Sequence, residues 1–212
     1  MKTYLDCYPC FLRQALSASR RAGATEQQQQ QILHLTMQEL ANLPAEVTPP
    51  RMAFKIHRQV CAQTQSDDPY RQAKAQATRK ALDLYPMLKE RVAASSHPLE
   101  TAARIAIAGN IIDLGAAESY DLQANLARVL TQKLAINGLD TLRKALHESP
   151  AILYLADNAG ETVFDRVLIE HLDRPVTYVV KAAPIINDAT FEDAVAAGID
   201  RIAEIIDNGS NA

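Results

Sequence analysis

The sequence has few cysteines, no long apolar run and no excess of basic residues. Its three cysteines are an odd number, which argues against a disulfide framework and agrees with a reducing compartment. No apolar run is long enough to span a bilayer, and the first residues, 1–6, lack the features of a signal peptide. A net charge of −3 and a pI near 6.0 offer no basic patch for a nucleic acid. We therefore expect a cytoplasmic protein with neither membranes nor nucleic acids as partners.

The chain has 212 residues, of which 48 % are hydrophobic, enough to bury a substantial core. Its first half predicts successive helices: Thr25 and Gln28 form a capping box, and Thr48–Pro49 and Asp68–Pro69 are typical helix starts. We expect a mixed α/β protein with an N-terminal all-helical domain over residues 1–97 and an α/β domain over 98–212. The second domain is expected to have three layers around a mainly parallel, Rossmann-like sheet.

The parallel sheet is predicted from three apolar runs, at 151–156, 175–180 and 201–206, which alternate with helical patterns. Strand, helix, strand, helix, strand is the order produced by parallel strands with right-handed crossovers. The first run lacks alternation, which is typical of a strand covered on both faces. In such sheets, ligands bind beyond the carboxyl ends of the strands.

Polar residues follow each predicted strand: Asp157 and Asn158, then Lys181, then Asp207 and Asn208. Asp188 follows Lys181 closely in the sequence. Carboxylate and amide oxygens are hard ligands suited to Mg²⁺ or Mn²⁺. A lysine ammonium is suited to a phosphate. The alternative is structural: Asp157 and Asp188 cap helices, and Lys181 is merely exposed.

Gly109 interrupts an apolar helix that is predicted from about Pro98. A helix glycine costs roughly 1 kcal/mol relative to alanine. Either another backbone or a ligand approaches closely there, or the glycine serves simple helix packing. Asn110 and Asp113, three residues apart, would share a face of this helix.

Three sets of motifs occur together in this chain: Asp157–Glu161 with Phe164–Asp165, Val180–Lys181 followed by Pro184 and Asn187–Asp188, and Gly109–Asn110 with Asp113. In this combination they resemble one family, the metal-dependent damage-control phosphatases once catalogued as domain of unknown function 89. Cys7–Cys10 and Asp68–Tyr70, before a lysine-bearing helix, resemble the prokaryotic branch of that family, in which Cys-x-x-Cys occurs. Members of the family continue beyond the point where this sequence stops, so the resemblance leads us to expect a C-terminally truncated α/β domain.

The resemblance implies hydrolysis of small phosphorylated metabolites, as phosphomonoesters, by water activated at Mn²⁺, Co²⁺, Ni²⁺ or Mg²⁺. It implies that Asp157, Asn158 and Asp188 bind the metal, and that Asp157 or Asp188 takes the proton of the water. Lys181 would hold phosphate. The remaining pocket residues implied by the resemblance are Glu161, Asn110 and Asp113.

Two other functions remain open. A nucleotide-cofactor transferase would use the same sheet edge, although the first turn lacks the Gly-x-Gly-x-x-Gly fingerprint. The second alternative function is a non-catalytic module that binds a metal or a metabolite. An aspartyl-phosphate mechanism is disfavoured because position 159, two residues beyond Asp157, is alanine. The oligomeric state is unknown, although an uncovered sheet edge would favour association.

Cys7 and Cys10 lie at a helix start, where thiol pKa values fall, so the pair is a candidate redox couple. With Cys61 and His57, which are four residues apart, they are also a candidate structural zinc site. The simplest interpretation is that all three cysteines are buried as small hydrophobic residues.

Overall fold

The structure, a computed structural model, describes residues 2–44, 46–111 and 122–210. Within these ranges, the mixed α/β fold is confirmed, and no helix is both long and apolar enough to cross a membrane. The helices are α1 Cys7–Arg21, α2 Glu26–Ala41, α3 Pro49–Thr64, α4 Arg71–Ala93, α5 Pro98–Ile111, α6 Leu122–Thr131, α7 Leu139–Glu148, α8 Thr162–Ile169 and α9 Phe191–Ala196. The strands are β1 Ile152–Leu155, β2 Val176–Val180 and β3 Glu204–Asp207.

The chain forms two compact units. One contains the residues up to Gln72 together with Ala183–Asn187, and the other contains Ala73–Ala182 and Asp188–Ser210. A compact unit is not necessarily a domain that folds alone, so the domain boundary at residues 97/98 stays a prediction.

The first unit is built on three helices, α1, α2 and α3. Their apolar faces share a core that includes Phe11, Ile32, Met52 and Ile56. The predicted capping box at the start of α2 is present: Gln28 N–H donates to Thr25 Oγ1 at 3.3 Å, and Thr25 N–H donates to Gln28 Oε1 at 2.9 Å. Local sequence therefore determines where this helix begins.

The second unit contains one sheet of three parallel strands in the order β1-β2-β3. Tyr154 of β1 pairs with Tyr178 of β2, which pairs with Ile205 of β3. The parallel sheet is thus confirmed. β3 begins at Glu204 and not at Arg201, because Ile199–Arg201 forms a 3₁₀ turn after Gly198, whose φ is +80°.

The two faces of this sheet differ. Tyr154, Tyr178 and Ile205 share one face, which packs into the apolar core of the unit. On the opposite face, in the part of the chain that the structure describes, Leu153 and Leu155 are 64 % and 70 % exposed. The expected cover on both faces of β1, and with it the third layer, is therefore not seen there. Both faces of β1 carry large apolar side chains, which hides the alternation in the sequence.

Gly109 lies at a tight contact between α5 and α8. A β-carbon at position 109 would lie 2.7 Å from Cβ of Phe164, closer than any stable contact. Helix packing therefore accounts for the glycine, which was one of the two explanations that the sequence left open. The close packing fixes the end of α5, and with it Asn110, against the start of α8.

Candidate functional site

The first loop of the site follows β1 and leads through a 3₁₀ turn, Ala159–Glu161, into α8. Glu161 is only 9 % exposed, and its Oε2 accepts from the backbone N–H of Asn158 at 3.4 Å and from Asn158 Nδ2 at 3.2 Å. These two bonds hold the amide nitrogen of Asn158 toward Glu161. Glu161 therefore orients Asn158.

The second loop follows β2 and is hydrogen-bonded to the first. The N–H of Ala189 donates to the carbonyl of Asp157 at 2.7 Å, and the N–H of Lys181 donates to the carbonyl of Ala189 at 2.9 Å. An antiparallel bridge joins Asn158 to Asp188. The backbone thus brings Asp157, Asn158, Lys181 and Asp188 together beyond the carboxyl ends of β1 and β2.

Asp188 has both an opposite charge and a like charge nearby. Lys181 Nζ lies 3.5 Å from Asp188 Oδ2. Burial raises the pKa of Asp188, the Lys181 ammonium opposes that rise, and the negative charge of Asp157 adds to it. Two carboxylates therefore repel each other at a half-buried position.

The other predicted residues lie at the same edge where the structure describes them. Asn110, at the end of α5, has Nδ2 3.4 Å from Asp157 Oδ2. Asp113 lies outside the described residues. The N–H of Asn208, after β3, donates to the carbonyl of Val180 at 2.9 Å, so the third strand end also reaches this edge.

The donor set fits a hard divalent cation. Asp157 and Asp188 supply carboxylate oxygens and Asn158 supplies an amide oxygen, the ligands that Mg²⁺ and Mn²⁺ prefer. A cation held by these residues would offset the repulsion that helps to raise the pKa of Asp188.

Comparison with known proteins identifies the family. Residues 3–212 match the family described as Damage-control phosphatase ARMT1-like domain. The chain belongs to this family. The resemblance noted in the sequence motifs is thus confirmed across nearly the whole chain.

Proteins similar to this chain occur in archaea. A damage-control phosphatase of Archaeoglobus fulgidus is 37 % identical over 169 residues, covering 76 % of this chain and 58 % of that protein. An uncharacterised protein of Methanocaldococcus jannaschii is 34 % identical over 221 residues, covering 97 % of this chain and 71 % of that protein.

A solved structure shows the same family fold. The crystal structure of a protein of the domain-of-unknown-function-89 family from Pyrococcus horikoshii, at 2.04 Å resolution, is similar with a TM-score of 0.88 and 28 % identity. The match covers 99 % of this chain and 75 % of that one.

Two buried charged residues near the site were not assigned a role from the sequence. The Lys74 side chain is 3 % exposed and lies 2.8 Å from Asp193, and Asp165 is 4 % exposed and accepts hydrogen bonds from Tyr154 and Tyr178. A sequence signal for Lys74 does exist. It shares an apolar helix face with Ala77 and Ala81, both buried, where a lysine is unusual.

The four residues considered for zinc or redox chemistry do not form a metal site in the described ranges. No group of three or more His, Cys, Asp or Glu side chains there has the geometry to hold a metal ion. His57 is buried and stacks on Tyr70, and its Nδ1 accepts from the N–H of Ile186 at 3.4 Å. The histidine is thus engaged in the core of the first unit.

The three cysteines are free thiols and none is fully buried. Cys10 is exposed, and Cys7 and Cys61 are half-buried, so the expectation of three buried cysteines was wrong. Burial nevertheless raises the pKa of Cys61, and the nearby carboxylate of Asp68 adds to the rise, which disfavours its reactive thiolate form. The redox role of Cys7 and Cys10 stays a prediction.

Proposed function

We propose that this chain is a divalent-metal-dependent phosphatase that hydrolyses small phosphomonoesters. The observation that carries the proposal is the pairing of two loops, which brings Asp157, Asn158, Asp188 and Lys181 to one sheet edge. Membership of the damage-control phosphatase family and the names of the archaeal relatives support phosphatase activity.

The residues of the site have separate roles in this proposal. Asp157, Asn158 and Asp188 hold the cation, which when bound polarises the phosphoryl group and offsets its negative charge. Lys181 lies beside Asp188 and places a compact positive charge where a phosphate oxygen would bind. Either Asp157 or Asp188 accepts the proton of the attacking water.

In the proposed mechanism, water attacks the phosphoryl group directly, and no phosphorylated aspartate is formed. Position 159 is an alanine that is 1 % exposed in the 3₁₀ turn, so it provides no acid to assist a leaving group. The Glu161 carboxylate accepts a hydrogen bond from Asn158, so in this mechanism it orients Asn158, one of the proposed metal-binding residues.

The test is hydrolysis of p-nitrophenyl phosphate with and without Mn²⁺, Co²⁺, Ni²⁺ or Mg²⁺, for the natural chain and for Asp157→Ala. The matched control is Asp140→Ala, because the Asp140 side chain is 99 % exposed and lies on α7. We expect metal-dependent turnover that is lost in Asp157→Ala and kept in Asp140→Ala.

Other outcomes decide against the proposal. Turnover that survives EDTA or the Asp157→Ala change would contradict the metal site. Metal-induced thermal stabilisation without turnover of any phosphoester would favour a non-catalytic binding module. Affinity for a nucleotide cofactor would favour the transferase.

A further inference from the structure

Lys74 is a buried lysine on α4 whose ammonium group has a defined partner. Its side chain is 3 % exposed, and Nζ lies 2.8 Å from Asp193 Oδ2. Burying a lysine is costly unless the charge is paired and hydrogen-bonded. The position of Lys74 is therefore tied to the position of Asp193.

Asp193 in turn fixes the start of α9. Its Oδ2 accepts from the backbone N–H of Thr190 at 3.0 Å, as part of the capping box of that helix, and also from Thr190 Oγ1 at 2.7 Å. Lys74 donates to the same oxygen. The Lys74 ammonium and the N–H of Thr190 therefore share one acceptor, Asp193 Oδ2.

Thr190 is connected to the candidate site through the backbone. It forms a parallel bridge with Lys181, and Ala189 beside it hydrogen-bonds both Lys181 and Asp157. Asp188 lies two residues before Thr190. The chain of contacts from Lys74 therefore ends at the residues proposed to bind metal and phosphate.

The same face of α4 also contacts the other loop. Thr78 lies one helical turn after Lys74, and its Oγ1 donates to the carbonyl of Ala159 at 3.4 Å. Residues four apart lie on one face of a helix. This face of α4 thus contacts both the loop that follows β1 and the start of α9.

We propose that Lys74 is a positioning residue for the sheet-edge site: acting through Asp193, it holds the Lys181–Thr190 loop so that Asp188 faces Asp157 and Asn158. A buried ion pair adds little net stability compared with apolar residues of similar volume. Its main effect here is to fix one arrangement of the loop. The consequence for turnover rests on the proposed phosphatase function, whereas the consequence for the loop does not.

The test compares Lys74→Met with Lys80→Met, which removes the same charge from an exposed position of the same helix. The first measurement is amide hydrogen exchange. We expect exchange at Lys181 and Ala189 to rise at least tenfold in Lys74→Met, while exchange at Tyr178 in β2 changes less than threefold. Lys80→Met should leave all three amides within twofold of the natural chain.

The second measurement is kcat with p-nitrophenyl phosphate and Mn²⁺, at a temperature where circular dichroism shows each variant folded. We expect kcat to fall at least tenfold in Lys74→Met and less than twofold in Lys80→Met. The double variant Lys74→Met, Asp193→Asn buries no unpaired charge, and its amide oxygen still accepts from Thr190. It should recover the exchange protection and bring kcat to within threefold of the natural chain.

Two results would overturn the proposal. Equal exchange in Lys74→Met and Lys80→Met would show that Lys74 does not hold the loop. Protection that recovers in the double variant without recovery of kcat would show that Lys74 acts directly on the ligand.

If Lys74→Met does not fold, Lys74→Gln replaces it in the test, because glutamine keeps a donor to Asp193. We expect a threefold rise in amide exchange for this variant. Absence of turnover by the natural chain would count against the proposed function, and the exchange measurement would still decide the role of Lys74.

Discussion

Asp165 and Asp188 are carboxylates of the same unit whose surroundings differ in kind. Asp165 is 4 % exposed, and each of its oxygens accepts a phenol hydroxyl at 2.6 Å, from Tyr154 and Tyr178. Asp188 is half-buried, and its ion pair with Lys181 is 3.5 Å long, while Asp157 adds a like charge. Burial is the largest cause of a raised pKa at both residues.

The difference separates a structural carboxylate from one that we propose binds a metal. Tyr154 and Tyr178 belong to adjacent strands and their rings stack, so Asp165 ties the start of α8 to both strands. At Asp188, a bound cation would relieve the repulsion from Asp157, whereas the neighbouring Lys181 ammonium is the group suited to a phosphate. Burial and pKa alone would have placed the two residues in one class.

The largest effect is expected from Asp188→Ala. Loss of a proposed metal ligand should lower kcat/KM for p-nitrophenyl phosphate about a thousandfold, or about 4 kcal/mol at 1.4 kcal/mol per factor of ten. The melting temperature should stay within about 2 °C, because the residue is not part of the apolar core. Enzyme assays with Mn²⁺ and thermal melts check both halves. A large loss of stability would erase the distinction from Asp165.

Asp165→Ala should give the converse result. It leaves two buried phenol hydroxyls without their acceptor, each costing about 1–3 kcal/mol, so the free energy of unfolding should fall by about 3 kcal/mol. Urea unfolding measures the change. Tyr154→Phe and Tyr178→Phe serve as controls, and each should cost less than Asp165→Ala. A stable but inactive Asp165→Ala variant would place Asp165 among the functional residues.

Gly109→Ala probes the packing between α5 and α8, close to Asp165 and to Asp157 of the candidate site. The new methyl group would overlap Phe164, next to Asp165, and Asn110, next to Gly109, contacts Asp157. We expect a loss of about 2 kcal/mol, typical of overpacking, by urea unfolding. Gly138→Ala is the control, since nothing lies within 4 Å of a β-carbon there. Equal stability of the two variants would show that α5 moves freely against α8.

The smallest expected effect is the pH dependence of stability that Asp165 causes. Burial raises the pKa of Asp165 to about 7 from 3.8, despite the two phenol donors. The folded state therefore holds this proton more tightly, and its contribution to stability is complete below pH 3.8 and lost as pH rises through about 7. Between pH 6 and pH 8 the loss should be about 1 kcal/mol. Asp165→Asn should remove this dependence in urea unfolding, and an unchanged slope would contradict the assignment.

Features governed by short-range chemistry were predictable from the sequence. The capping boxes at Thr25 and Thr190 depend on residues three positions apart, and both are present. The parallel sheet followed from the alternation of apolar runs and helices, and its topology brought Asp157, Asn158, Lys181 and Asp188 to one edge, although their roles stay predictions.

Features that depend on distant partners were not predictable. The exposed face of the sheet depends on what packs against Leu153 and Leu155, and their sequence resembles that of a buried strand. The role of Lys74 depends on Asp193, which lies 119 residues further along the chain. No local pattern records such a pairing.

That separation has a consequence for how the protein reaches its native state. Lys74 and Asp193 are 119 residues apart, Thr78 and Ala159 are 81 apart, and Asn110 and Asp157 are 47 apart. Contacts between such distant segments form slowly, because the entropy of closing a long loop is lost before the contact stabilises the chain. The first unit contains one such pairing as well, between His57 and Ile186, which are 129 residues apart. We therefore expect the edge that carries Asp157 and Asp188 to assemble late in folding.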